Sequence, residues 1–176
     1  ELSDRSVAPR GQRVLTEADH EFLAEHGWLL VRGVVPPETV RRCVDDTWNY
    51  LHERWGMRPD DPSSWYHPQH MNGHVKKYQS QGQWDIRQCP TVHAAFADLW
   101  GTEQLWCSVD STHMNPPARD GIASDLPGIG ALHIDVPMEV LLSGNHFRVQ
   151  GEVLLSDVTS DGGGFACVVS VQHPSA

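Results

Sequence analysis

The chain contains no long apolar run: none of its stretches approaches the roughly 20 residues that cross a bilayer, so no membrane-spanning helix is expected. Glu1 to Gly11 is polar and charged and does not read as a signal peptide. Basic residues are scarce. Thirteen Lys and Arg stand against 23 Asp and Glu, for a net charge of -10. They form nothing larger than pairs such as Lys76-Lys77, which excludes an electrostatic nucleic-acid binder. The cysteines Cys43, Cys89, Cys107 and Cys167 are scattered and form no C-x-x-C pair. That disfavours a zinc ribbon and predicts a reduced, cytoplasmic protein. No internal repeat or low-complexity tract is present.

What is there suits a single domain over residues 1–176, long enough for a substantial core. Seven Trp and twelve Pro argue against a disordered or coiled-coil chain. Residues 1–14 read as a loose leader, 15–103 as a helical part and 104–176 as strands. Thr16 with Asp19 three residues on predicts a helix start, with Phe22 and Leu23 inward and Gly27 ending it. Trp28 to Val35 reads as a buried strand, stopped by Pro36-Pro37. Val40, Val44, Trp48, Leu51 and Trp55 recur at helical spacing and predict a helix from Glu38 to Trp55, capped by Gly56. Met57 to Pro90 has no clean period and reads as loop with short elements. A third helix is predicted from Thr91 to Trp100, with Phe96, Leu99 and Trp100 apolar and Gly101 following. Strands are expected at Leu105–Thr112, Ala131–Met138, Phe147–Asp157 and Phe165–Val171, with a glycine turn at Gly162-Gly163-Gly164. Helices first and strands afterwards predict an α+β, mainly β arrangement with helices covering a sheet or barrel.

One constellation carries chemistry. In the run Ala131-Leu132-His133-Ile134-Asp135-Val136, a strand would project His133 and Asp135 from one face. An imidazole nitrogen and a carboxylate oxygen are two of the three ligands of a 2-His-1-carboxylate Fe(II) site. From local context alone, the pair reads more readily as a hydrogen-bonded His–Asp pair on a half-buried strand than as a metal site.

The order of motifs around this pair resembles the phytanoyl-CoA dioxygenase family of Fe(II)/2-oxoglutarate oxygenases. The matching stretches are Leu15-Thr16, Phe22 and Gly27-Trp28-Leu29-Leu30-Val31-Arg32-Gly33-Val34, then Trp100-Gly101-Thr102 and Asn115-Pro116-Pro117. His133-Ile134-Asp135 follows, then Val149-Gln150-Gly151, Leu154-Leu155-Ser156-Asp157 and Gly163-Gly164-Phe165. The resemblance implies a double-stranded β-helix: a cupin-like jelly-roll core with the N-terminal helices packed outside. It implies iron held by His133, Asp135 and a distal His, with 2-oxoglutarate and O2 as cosubstrates. It also implies an Arg shortly after that His, whose planar fork suits the 2-oxoglutarate carboxylate. A carboxylate at Asp135, where related halogenases carry a small residue, implies hydroxylation of a small organic molecule.

Both the distal His and the Arg are expected beyond Ala176. His173 matches a family position that does not ordinarily bind iron, and His146 falls in a predicted loop. In Val168-Val169-Ser170-Val171-Gln172-His173 the Pro and Gly usual in the family are missing. The chain is therefore expected to be the N-terminal portion of a dioxygenase, lacking the last strands and inactive by itself. Ser111 and His113, two apart on the strand before Asn115-Pro116-Pro117, are candidates for the cosubstrate pocket, with a buried hydrogen-bonded His as the alternative at His113. Lys76, Lys77 and Trp84 are candidates for the pocket mouth; for each the alternative is a solvated loop with one packed Trp. Two rival classes remain open: a non-catalytic jelly-roll binding module, and a cupin-like metalloenzyme that does not use 2-oxoglutarate. An interaction protein with an incidental H-x-D is a further reading.

Overall fold

Local capping signals account for the first helix. A computed structural model describes residues 13–67, 74–75, 77–117, 137–143, 149–159 and 165–167. In it, α1 spans Glu17–His26 with Thr16 as N-cap. The Asp19 amide donates to Thr16 Oγ1 at 3.2 Å, and the Thr16 amide donates back to Asp19 Oδ2 at 2.8 Å. Gly27 ends the helix at φ 74°, a left-handed conformation that glycine adopts without a Cβ penalty. Phe22 and Leu23 are half-buried, and the Phe22 ring lies edge-on to Trp28 at 5.1 Å.

Helix α2 spans Pro37–Trp55 and ends at Gly56, also left-handed. Of its deepest residues, Leu51 lies on the expected stripe, while Thr39 and Cys43 stand one position before Val40 and Val44. The reason is its partner. Helix α3, Gln81–Arg87, crosses α2 so closely that a Cβ on Gly82 would stand 2.4 Å from the Cys43 Cα. The Gly82 amide donates to Asp46 Oδ2 at 2.8 Å across the same crossing. Helix α4, Pro90–Trp100, ends at Gly101. Its Asp98 Oδ2 accepts from the amides of Val14 (2.6 Å) and Leu15 (2.9 Å) and fastens the segment before α1 to α4.

Two short strands, β1 (His74–Val75) and β2 (Thr112–His113), pair antiparallel with His74 opposite His113 and Val75 opposite Thr112. Val75 joins Leu51 and Met57 in a core bordered by Trp48, Tyr50, Trp55, Trp65 and Met114. Each of these buried aliphatic side chains contributes about 1.5–3 kcal/mol. A 3-10 turn at Pro62–Trp65 closes over this core, and Trp65 Nε1 donates to the Arg58 carbonyl at 2.7 Å. A last short helix, α5, spans Met138–Leu142.

Where the described residues reach the expected strands, little of them is in a ladder. Trp28–Val35 pairs with no described strand; Trp28 is 39% and Leu30 50% exposed, and Gly33 turns the chain at φ 69°. Of Leu105–Thr112 only Thr112 enters a ladder, and Trp106 is fully exposed. Met138, expected to end a strand, begins α5. Residues 149–157 and 165–167 carry no assigned strand, with a bend at Leu155-Ser156. The physical reason is shared: apolar alternation marks a surface that could pair, while the pairing depends on a distant segment. Residues 131–136, 147–148 and 168–171 of the expected strands lie outside the described residues. Among the described residues no helix is long and apolar enough to cross a membrane.

Candidate functional site

The expected metal ligands His133 and Asp135 lie outside the described residues, as do Lys76, His146 and His173. Among the described residues, no three His, Cys, Asp or Glu side chains come together to hold a metal ion. The structure describes a shelf built of β2, the helix α3 behind it, and the prolines that follow β2.

Ser111 precedes β2 and His113 lies on it. His113 is exposed rather than buried, whereas Ser111 and Thr112 are half-buried. The Thr112 hydroxyl accepts from Gln83 Nε2 at 2.8 Å, so Thr112 faces α3. Strand alternation then turns Ser111 and His113 to the opposite face, away from α3. Just beyond, the Tyr66 hydroxyl donates to the Pro117 carbonyl at 2.9 Å and pins Asn115-Pro116-Pro117 against the end of the 3-10 turn.

Lys77 and Trp84 belong to the support of this shelf. Lys77 Nζ lies 5.6 Å from the Tyr50 ring centroid, within cation–π range, and 3.4 Å from the Asp46 carbonyl. Both partners sit on α2, so the ammonium turns toward the helices. Trp84 is half-buried on α3; its indole N–H donates to Gln79 Oε1 at 3.0 Å, and the Arg87 guanidinium lies over its ring at 5.4 Å.

Two residues that spacing did not single out organise this region. Gln83, only 6% exposed, uses every polar atom of its amide. Its Oε1 accepts from the Ser80 amide at 3.0 Å, and its Nε2 donates to the Lys77 carbonyl at 2.7 Å as well as to Thr112. Arg87 donates to the Tyr78 carbonyl at 3.2 Å and the Asp110 carbonyl at 2.5 Å. The sequence signal for Gln83 is the capping box Ser80-Gln81-Gly82-Gln83, which starts α3. Arg87 carries no comparable signal.

The electrostatic shifts lie apart from the shelf. Burial, reinforced by the nearby Asp46 carboxylate, pushes the Cys43 thiol up. A hydrogen bond from Ser63, with Arg58 adding to it, holds Asp61 below the usual carboxylate range. A shallow cleft of about 250 Å³ opens where α2, α3 and α4 meet, lined by Thr39, Arg42, Asp85 and Cys89 among others; it contains none of the expected site residues.

No protein-family model matches the chain, and no solved structure matches it. Over 109 residues it is 31% identical to a protein from Aspergillus versicolor named "Ava biosynthesis cluster protein O". That similarity covers 58% of this chain and 35% of the relative, so the chain matches well under half of the relative's length.

Proposed function

We propose that this chain is part of an Fe(II)- and 2-oxoglutarate-dependent dioxygenase, similar to phytanoyl-CoA dioxygenase, that hydroxylates a small organic molecule in the cytoplasm. The observation that carries the reading is His133-Ile134-Asp135, set within the ordered series of motifs from Leu15-Thr16 to Gly163-Gly164-Phe165. An imidazole and a carboxylate two residues apart are a donor pair suited to Fe(II). The reading places the distal His and the 2-oxoglutarate-binding Arg beyond Ala176, on a jelly-roll barrel completed by later strands. The relative named for a biosynthesis cluster supports a small-molecule substrate. All four cysteines are free, which supports a reducing compartment.

Iron with 2-oxoglutarate and O2 would supply the oxidising chemistry. His133 and Asp135 would hold the metal, and the carboxylate of Asp135 leaves no room for a halide in its place. Ser111 and His113, facing away from α3, would border the cosubstrate, with residues 118–130 shaping the substrate end.

The test is 2-oxoglutarate turnover by the complete gene product, assayed as succinate with added Fe(II) and a panel of small molecules. Succinate that requires iron and disappears in Asp135→Ala is the expected result. The 176-residue chain alone is expected to give little or none. A complete protein that makes no succinate and retains no iron would instead be a non-catalytic binding module.

A further inference from the structure

Helix α3 holds the backbone around Ser111 and His113 from one side, and at two points. Arg87 donates to the carbonyl of Asp110, just before Ser111. Gln83 donates to the hydroxyl of Thr112, between Ser111 and His113. Neither clamp is free to drift. Gln83 is fixed by its other bonds to the Ser80 amide and the Lys77 carbonyl, and Arg87 by the Tyr78 carbonyl and the Trp84 ring. Helix α3 is itself seated on α2 with a Gly82–Cys43 approach that leaves no space for a methyl group.

The strand needs such a clamp. β2 is two residues long and pairs with a β1 of equal length, a ladder too short to set which residues face which way. A one-residue slip would exchange the faces, turning Thr112 outward and Ser111 and His113 toward α3. The bond to Thr112 opposes that slip: a slipped strand would give up a bond already formed at 2.8 Å and would have to refit the Ser111 hydroxyl or the His113 ring to a buried amide held in place by Ser80 and Lys77.

We infer that Gln83, acting through Thr112, and Arg87, acting through Asp110, are positioning residues that hold Ser111 and His113 on the cosubstrate side of β2. The inference rests on the proposed function for the word cosubstrate, and on the hydrogen bonds for the positioning.

Thr112→Val in the complete protein isolates the clamp: it keeps the side-chain shape and removes the acceptor, leaving the other bonds of Gln83 in place. Two readouts are needed. Hydrogen–deuterium exchange at the amides of 110–114 should accelerate about five- to tenfold, the loss of roughly one hydrogen bond, with α1 and α4 unchanged. The KM for 2-oxoglutarate should rise by a similar factor of about five to ten while kcat falls by less than about twofold. Thr112→Ser, which restores the hydroxyl, should return KM to within about twofold of wild type. Gln83→Met, which removes the donor together with the bonds to the Ser80 amide and the Lys77 carbonyl, should raise KM at least as much as Thr112→Val does. Unchanged exchange in Thr112→Val would overturn the clamp. Faster exchange with an unchanged KM would reduce Gln83 to a structural staple and overturn its link to the pocket. A wild-type protein without succinate would instead refute the proposed function and with it the cosubstrate role, while exchange would still report whether α3 holds β2.

Discussion

Gly82 and the buried thiol beside it show how single residues set this structure. A methyl group on Gly82 would meet backbone atoms of Cys43, which cannot rotate aside. Alanine is favoured over glycine in a helix by about 1 kcal/mol, but forcing two helices apart costs about 1–3 kcal/mol. Gly82→Ala should therefore destabilise the protein, seen as a lower midpoint in urea unfolding with an unchanged slope. Cys43 is 1% and Cys89 5% exposed, while Cys107 and Cys167 are exposed. With its thiol pushed up by burial and Asp46, Cys43 should resist maleimide at neutral pH. Mass spectrometry after brief labelling should find Cys107 and Cys167 modified, and Cys43 and Cys89 only after denaturation. Rapid labelling of Cys43 in the native protein would contradict its place under α3.

At the scale of elements, what could be read from the sequence divides by the range of the forces involved. Helices α1, α2 and α4 were legible because their signals are local: the Thr16–Asp19 capping box, prolines at the first turn of α2 and α4, and glycines at Gly27, Gly56 and Gly101. Helix α3 was not, because seven residues with a glycine in the first turn show no apolar period; its Ser80–Gln83 box and its fit against Cys43 make it. The ladder was legible only at Thr112, since its partner His74–Val75 is distant in sequence and lies in a stretch rich in His, Gln and Gly. The turn from Arg58 to Trp65 invites a pH test. Asp61 accepts hydrogen bonds from Ser63 and pairs with Arg58. Its depressed pKa means that this stabilisation is fully present above the ordinary carboxylate value and is lost as pH falls through the lower, folded-state value. The Trp65 indole N–H, bonded to the Arg58 carbonyl, should exchange faster once acid protonates Asp61. Asp61→Asn should flatten that dependence; an acid-independent Trp65 signal in wild type would show that Asp61 does not hold the turn.

For the molecule as a whole, the helices from Glu17 to Trp100 and the clamp from α3 to β2 form the scaffold that carries Ser111 and His113. Exposed apolar residues outside the helices, Trp106, Leu154 and Phe165 among them, are side chains the sequence assigns to sheet. The chemistry was legible as a pair of residues, not as a site: spacing puts His133 and Asp135 two apart, but a metal centre also needs the third ligand and the fold that brings it near. The proposed activity therefore turns on the metal. Anaerobic titration of Fe(II) into the complete protein, followed by 2-oxoglutarate, measures it directly. The expected result is stoichiometric iron and a visible charge-transfer absorption that appears with 2-oxoglutarate, both lost in His133→Ala and in Asp135→Ala with folding intact by circular dichroism. Iron bound as tightly by the two variants as by wild type, or not bound by wild type at all, would contradict it.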